Sequence, residues 1–137
     1  MDRKENMRRI RSKDTRPEVR VRGLLRRLGY VGYRLHRADL PGKPDIAFVG
    51  QRKAILVHGC FWHGHNCKRG GRRPKTNLDY WQPKIERNQR RDHRTLGEFA
   101  SLGWAVLTIW ECELLPREEV ALCTKIVEFM SDGRRAG

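Results

Sequence analysis

The spacing of apolar residues along the chain predicts three helices. The first begins at the run TRPE at 15–18, which has the capping-box pattern, and ends at Gly29. The second runs from about residue 79 or 83 to residue 102, and the third covers 117–130. The residues expected on buried faces are Val21, Leu24, Leu25 and Leu28 in the first helix, and Val120, Cys123, Ile126, Val127 and Met130 in the third.

Short apolar runs between these helices predict strands at 45–49, 53–58 and 104–110, with a further candidate at 30–36. The tight segment 50–52 predicts a hairpin between two of them. The order helix, two or three strands, helix, strand, helix indicates one α/β domain over 1–137, with a mixed central sheet flanked by helices. Residues 1–14 are basic and polar, and we interpret them as an N-terminal arm.

Positive charge is concentrated in two segments of this chain, whose net charge is +14. Residues 1–37 hold 13 Lys and Arg against 4 acids, and residues 68–94 hold 10 against 3. Such a distribution attracts a polyanion and speeds encounter with it, so nucleic acid is the favoured partner over a generally solvated surface. No apolar run is long enough to span a bilayer and the first residues form no signal peptide, so we expect a cytoplasmic protein without a membrane partner.

The segment CFWHGHNC at 60–67 predicts a structural zinc site. Cysteines in a reducing compartment favour metal ligation or burial over disulfides, and zinc takes four Cys or His donors in a closed structural site. Cys60, His65 and Cys67 supply three donors, and Cys112, which follows a predicted strand, is the candidate for the fourth. His63 competes with His65 as a ligand, and a His-rich loop without metal is the alternative.

Asp45 and two histidines suggest hydrolysis of a phosphodiester. Mg²⁺ needs only one or two carboxylates in addition to water and phosphate oxygens, so Asp45 at the start of a strand suffices as its ligand. His58 and His63 can then carry proton transfers. A Pro-Asp pair alone is more often a turn, and a lone histidine at a strand end is more often structural.

Four runs together resemble the very-short-patch-repair (Vsr) endonucleases. They are LPGKPD at 40–45, VHGCFWH at 57–63, LGW at 102–104 and WEC at 110–112. The resemblance implies a restriction-endonuclease-like fold. It also implies nicking of one DNA strand beside a T·G mismatch, which arises when 5-methylcytosine deaminates.

The resemblance assigns roles to individual residues. Asp45 and the backbone carbonyl of Val57 would hold Mg²⁺, although Val57 stands where a better-known pattern has Thr. His63 would be the general base, oriented by Asp92, and it replaces the Lys of the usual restriction-nuclease motif. The family's zinc ligands match Cys60, His65, Cys67 and Cys112.

Two further active-site assignments have structural alternatives. His58 and Glu18 would form a hydrogen-bonding pair around the metal-bound water, whereas Glu18 alone could be only the capping-box carboxylate. Asp92 could instead be a surface partner for the arginines around it.

Exposed aromatic and basic residues predict how the protein grips DNA. Phe61 and Trp62 would insert between base steps, which costs least at a mismatch. Trp81 matches a third inserted aromatic in the family, with core packing as its alternative. The arm would reach the opposite groove through Met7 and Arg8, and phosphates would be neutralised by Arg69, Arg72, Arg73 and Lys75.

The sequence therefore predicts a Mg²⁺-dependent endonuclease that nicks double-stranded DNA at a T·G mismatch and carries a structural Zn²⁺. One rival is a nicking nuclease of a restriction–modification system without mismatch preference. Another is a zinc-stabilised DNA-binding module without catalysis. Mismatch-repair proteins are a candidate partner class, and a monomer is the default oligomeric state.

Overall fold

The computed structural model describes residues 16–60 and 78–131. The predicted arm at 1–14 and most of the aromatic, histidine-rich and basic loop lie outside these ranges. The predicted site residues that fall outside them are Met7, Arg8, Phe61, Trp62, His63, His65, Cys67, Arg69, Arg72, Arg73 and Lys75.

Three α-helices and four strands form the described part of the chain. Helix α1 spans Arg16–Arg27, α2 spans Leu78–Ser101 and α3 spans Glu119–Ser131. The strands are β1 (Arg34–Leu35), β2 (Ile46–Phe48), β3 (Lys53–His58) and β4 (Ala105–Trp110). Short 3-10 turns cover Val49–Gln51, Glu111–Leu114 and Pro116–Glu118.

The four strands form one mixed sheet in the order β1-β2-β3-β4. The first three are antiparallel neighbours, and β3 pairs with β4 in parallel. The predicted hairpin between 45–49 and 53–58 is therefore confirmed. Helix α2 provides the crossover that a parallel pair requires. Because β3 and β4 are parallel, residues that follow them in sequence come together at one edge of the sheet.

The main core lies between the sheet, α1 and α3. Ile46, Phe48 and Ile55 of the sheet pack with Val21, Leu24 and Leu25 of α1, as the apolar spacing predicts. Leu28 is only partly buried against this cluster. The opposite face of the sheet carries the buried residues Ala47, Ala54 and Leu56, and buried Ile85 and Phe99 on α2 supply its cover.

The predicted buried face of the third helix was partly wrong. Val120 is 81% exposed and Val127 is 39% exposed, whereas Leu122, which the prediction omitted, is buried with Ile126 and Met130. The helix begins at Glu119, after the 3-10 turns, so Val120 lies in its first turn on the side away from the 122–126–130 stripe. This segment has apolar residues on several sides, so spacing alone permits either the predicted stripe with Val120 and Val127 or the observed stripe 122–126–130 to be buried.

Helix α2 begins at Leu78, close to the earlier of the two predicted starts, and runs through Pro83. Pro83 is the sixth residue of the helix, so its ring removes the N–H that would donate to the carbonyl of residue 79. Within the ranges that the structure describes, no helix is both long and apolar enough to cross a membrane.

Gly42 lies in the turn that leads into β2, and it touches α2 closely. Its backbone is left-handed, with φ +65°, and a Cβ there would lie 2.6 Å from Cγ2 and 2.9 Å from Oγ1 of buried Thr95. The turn can therefore approach α2 only because residue 42 lacks a side chain. This contact fixes the start of β2 relative to the helix that carries Asp92.

Gly42→Ala is expected to lower the free energy of unfolding by about 2 kcal/mol, since it adds left-handed strain to a steric conflict. Gly97→Ala is the matched control. It lies in the interior of α2 with nothing within 4 Å of a new Cβ, and it should stabilise the protein by about 0.5–1 kcal/mol. Urea unfolding measures both. Equal effects of the two substitutions would contradict the close contact with Thr95.

Candidate active site

Asp45 stands at the entrance to β2, directly after buried Pro44. Its Oδ2 accepts a hydrogen bond of 2.7 Å from the backbone N–H of Val57 on β3. The side chain is thus fixed across the end of the β2–β3 ladder. This bond directs the carboxylate towards the end of the ladder, where it meets Glu18 and His36.

The register of the hairpin leaves the carbonyl of Val57 without a ladder donor. Ile46 pairs with Ile55 and Phe48 with Lys53, so two residues further along Val57 would face Pro44. Proline has no N–H to offer. In an antiparallel strand the N–H and C=O of one residue point to the same side. The Val57 carbonyl therefore points to the side on which its N–H meets Asp45.

Glu18, His36 and Asp45 converge from α1, the end of β1 and the start of β2. Their ligand atoms all lie within 4.8 Å of one another. His36 Nε2 lies 2.9 Å from Oε2 of Glu18, and the Glu18 carboxyl also shares a hydrogen bond with Asp45. Glu18 is only 4% exposed, although it lies in the first turn of α1. Its carboxylate is therefore more than an exposed cap.

The Asp45 carboxyl is difficult to ionise in this environment. Its pKa is raised to about 7: burial is the largest cause and the contact with Glu18 adds to it, while the hydrogen bond from the Val57 N–H acts in the opposite direction. A carboxylate beside a second carboxylate needs a positive partner when both are charged. A divalent cation would supply that charge.

We expect Asp45 to make the metal-free protein less stable as pH rises. Its pKa is raised in the fold from 3.8 to about 7, so its contribution to stability is complete below about pH 4 and is lost as pH rises through 7. The melting temperature in chelator should therefore fall between pH 5 and pH 8 more steeply for the wild type than for Asp45→Asn. Superimposable pH profiles of the two proteins would rule out this source of pH dependence.

The donor set fits a divalent cation. It combines two buried or half-buried carboxylates and one imidazole, and the carbonyl of Val57, which by the register faces Pro44, is a further candidate oxygen. Carboxylate and carbonyl oxygens are the ligands that hard cations such as Mg²⁺ and Mn²⁺ accept. We name Asp45 and the Val57 carbonyl as the residues that would hold it.

His58 ends β3 and faces α2. Its Nε2 lies 3.9 Å from Oδ1 of Asp92, and its ring meets that of Trp110 edge to face at 5.2 Å. The sequence paired His58 with Glu18 and Asp92 with His63. The structure brings His36 to Glu18 and Asp92 to His58, so Glu18 and His58 each have a partner that the sequence did not predict. Asp92 is half-buried and lies beside His58. It is therefore not simply an exposed residue that pairs with the surrounding arginines.

Two of the four predicted zinc ligands meet beyond the ends of β3 and β4. The backbone N–H of Cys112 donates to Sγ of Cys60 at 3.4 Å, and Cys60 is fully buried. The parallel pairing of His58 with Trp110 brings these segments together. His65 and Cys67, the other two predicted ligands, lie outside the described residues.

Trp81 lies near the start of α2, half-buried beside exposed Tyr80. The two rings pack edge to face with centroids 4.9 Å apart. Asp92 is 11 residues further along the helix, about 16 Å at the helical rise. Trp81 thus lies on the helix that reaches the active site, at a distance of several turns.

His36 is the site residue that sequence reasoning missed. It ends the predicted strand at 30–36, but only Arg34–Leu35 forms a strand. The β1–β2 register sets position 36 opposite Asp45, and the backbone N–H of His36 donates to the Asp45 carbonyl at 3.4 Å. The sequence alone does not give the register of β1 on β2, so it could not predict that His36 lies opposite Asp45.

Comparisons with known proteins identify the family. The family described as "DNA mismatch endonuclease Vsr" matches residues 1–69. The DNA mismatch endonuclease Vsr of Escherichia coli strain K12 is 40% identical over 131 residues, which cover 93% of this chain and 83% of that protein. The type II nicking enzyme V.XorIIP of Xanthomonas oryzae pv. oryzae is 56% identical over 108 residues, covering 79% of this chain and 78% of that protein.

A solved structure agrees with the fold. The catalytic domain of the homing endonuclease I-Bth0305I superposes with a TM-score of 0.59 at 25% identity, covering 88% of this chain and 98% of that domain. A mixed four-stranded sheet flanked by helices is compatible with the predicted restriction-endonuclease-like fold. On the strength of these matches, the chain belongs to the DNA mismatch endonuclease Vsr family.

Proposed function

We propose that this protein is a DNA endonuclease that nicks one strand beside a T·G mismatch left by deamination of 5-methylcytosine, with Mg²⁺ held at Asp45. The observation that carries the proposal is the placement of Asp45 between the Glu18 carboxylate and Val57, in a chain of the Vsr family. The carboxylate of Asp45 and the carbonyl of Val57 are oxygen ligands of the kind that Mg²⁺ accepts when it also binds a phosphate.

In this proposal Asp45 and the Val57 carbonyl bind the cation, and Glu18 and His58 flank the attacking water. Mg²⁺, when bound, neutralises charge on the phosphate and lowers the pKa of water. The side chain of residue 57 takes no part. Valine in place of threonine therefore leaves this role intact, because only the backbone oxygen is used.

His63 accepts the proton of the attacking water, and Asp92 orients the imidazole. An acceptor within hydrogen-bond reach of water at its operating pH is what general-base catalysis requires. Asp92 already lies 3.9 Å from His58 at this end of the sheet. In this proposal Asp92 can therefore serve both His58 of β3 and His63.

Zinc is proposed as a structural ion bound by Cys60, His65, Cys67 and Cys112. The 3.4 Å bond from the Cys112 N–H to Cys60 Sγ supports the proposal, because thiolate ligands of zinc commonly accept such donors. Closing the loop between β3 and α2 onto the end of β4 would hold the aromatic and histidine residues in place.

Cys112→Ala is expected to release zinc and to lower the melting temperature by at least about 10 °C, since binding of a structural zinc contributes directly to folding. Cys123→Ala is the matched control, because Cys123 is a half-buried cysteine of α3 that packs on the core. Elemental analysis should find one zinc in the control and none in Cys112→Ala. One equivalent of zinc retained in Cys112→Ala would exclude Cys112 as a ligand.

We propose that DNA binding combines aromatic side chains inserted between base steps with contacts to phosphates. Phe61, Trp62 and Trp81 would unstack base steps, which is easiest at a mismatch. Met7 and Arg8 of the arm would reach the opposite groove. The remaining basic residues would neutralise phosphates and give salt-dependent affinity; they are Arg69, Arg72, Arg73 and Lys75.

A second candidate function is nicking within a restriction–modification system, without mismatch preference. It is favoured by the 56% identity to a protein named a type II nicking enzyme. This alternative uses the same Asp45 chemistry but makes Phe61 and Trp62 dispensable. The expected substrate in either case is double-stranded DNA. Mismatch-repair proteins are proposed as accessory partners, and the protein is proposed to act as a monomer.

One assay separates these functions. Matched and T·G duplexes are incubated with the protein, with Mg²⁺ present or chelated, and nicks are located on each strand. We expect Mg²⁺-dependent nicking of one strand of the T·G duplex only. Equal nicking of both duplexes would support the restriction function instead. Binding without any nick would leave a DNA-binding module.

A further inference from the structure

We propose that His36 is a positioning residue of the active site: its imidazole holds the Glu18 carboxylate against Asp45, so that both carboxylates face one divalent cation. This inference rests on the proposed cation at Asp45. It adds a residue that the predicted Asp45, His58, His63, Asp92 and Glu18 set did not contain.

The contact between His36 and Glu18 is short and shielded from water. The two atoms, Nε2 and Oε2, lie 2.9 Å apart, and the side chains are only 13% and 5% exposed. A carboxylate can only accept, so the imidazole tautomer with the proton on Nε2 suits this contact. A shielded bond from imidazole to carboxylate fixes the direction of the Glu18 side chain.

The backbone of His36 is held in an unfavourable conformation. Its φ is +51°, in the left-handed region that a non-glycine residue adopts at a cost of about 1 kcal/mol. His36 directly follows β1, and its N–H donates to the Asp45 carbonyl at 3.4 Å, so the backbone is left-handed where the chain leaves the strand. In this conformation His36 contacts Glu18 through its side chain and Asp45 through its backbone.

Without His36, repulsion between the carboxylates of Glu18 and Asp45 would favour their separation. Two carboxylates that share a buried contact repel each other when both are charged. Glu18 reaches the site from the first turn of α1 and Asp45 from the start of β2, so side-chain contacts help to set the distance between the two carboxyl groups. The imidazole supplies such a contact. Glu18 in turn contacts the ligand Asp45, and groups that hold a metal ligand in place typically affect metal affinity by about 10–100-fold.

The test measures binding of Mn²⁺ and Mg²⁺ by isothermal titration to the wild type, His36→Ala and His36→Gln, without DNA. We expect His36→Ala to weaken both cations at least about tenfold. His36→Gln, whose amide can donate to Glu18, should recover affinity to within about threefold of the wild type. His93→Ala is the matched control, since His93 is exposed on α2, and it should bind like the wild type.

Nicking of the T·G duplex supplies the second readout. His36→Ala should need at least about ten times more Mg²⁺ for half-maximal rate, with most of the rate recovered at saturating Mg²⁺. Wild-type cation affinity in His36→Ala would overturn the inference. Loss of Mn²⁺ with retention of Mg²⁺ would also overturn it, because imidazole would then be a direct ligand of the softer ion.

The proposed function and this inference can fail separately. If Asp45→Asn binds cations like the wild type, the site at Asp45 is wrong and the role of His36 falls with it. If Asp45→Asn loses the cation but His36→Ala does not, the cation site stands and only the positioning role is refuted. Circular dichroism and melting temperature of each variant verify that the variants fold.

Discussion

Asp45→Asn should lower the rate of nicking by at least about a thousandfold, because it removes the one carboxylate that the proposal makes a direct ligand of the cation. Stabilisation of phosphate charge by a metal contributes several kcal/mol, and about 4 kcal/mol corresponds to a thousandfold change in rate. The substitution keeps the size of the side chain and an oxygen that can accept from the Val57 N–H, at present 2.7 Å from Oδ2. The fold should therefore survive.

Affinity for the T·G duplex should change little in Asp45→Asn, since phosphate contacts by Lys and Arg dominate DNA binding. Rates are measured under single-turnover conditions and affinity by fluorescence anisotropy in chelator. Asp39→Asn is the matched control. Asp39 is an exposed aspartate of the same β1–β2 connection, paired with Arg37 at 2.7 Å, and its loss should leave the rate unchanged.

Rates of Asp45→Asn within tenfold of the wild type, in folded protein, would remove Asp45 from the cation site. The comparison with Asp39→Asn is informative because both substitutions change the net charge equally. A general effect of charge on DNA encounter would therefore appear in both variants. A catalytic effect would appear only at position 45.

Elements with one clear apolar stripe could be predicted from the sequence. Helix α1 begins and ends close to the capping pattern and Gly29, and β2 and β3 form the expected hairpin. In α1 the polar residues leave only one face that can be buried, and β2 and β3 are short apolar runs joined by a tight turn, which predicts the hairpin whichever face is buried. The third helix has apolar residues on several sides, so its buried stripe depends on how α3 docks on the sheet. That docking is a tertiary property.

The candidate site shows a similar division. The sequence predicts a cation at Asp45 from a proline and an aspartate that lead directly into an apolar strand, together with the resemblance to the Vsr endonucleases. The convergence of Glu18 and His36 on Asp45 could not be predicted, since it depends on the β1–β2 register and on the packing of α1. Spacing in sequence does not specify which of several polar side chains meet across three elements.

Lys53→Met should destabilise the protein by about 2–4 kcal/mol, the largest stability loss we expect from a substitution outside the zinc site. Lys53 begins β3 on the face that α3 covers and is only 4% exposed. Its Nζ donates to the carbonyl of Phe129 at 2.8 Å and to that of Met130 at 2.9 Å, near the C-terminal end of α3. A cation suits this end of a helix, where carbonyls lack intrahelical donors.

The methionine side chain is about as long as the methylene stem of lysine, so the substitution mainly removes the ammonium group and leaves little further cavity. Two carbonyls would then lose a charged donor in a position shielded from water, and the melting temperature should fall by roughly 5–15 °C. Lys84→Met is the control: Lys84 contacts Tyr80 on the surface of α2, with Nζ 3.0 Å from the hydroxyl oxygen. It should change stability by less than about 0.5 kcal/mol. If the Lys53→Met and Lys84→Met variants have the same melting temperature, Lys53 does not hold α3 to the sheet.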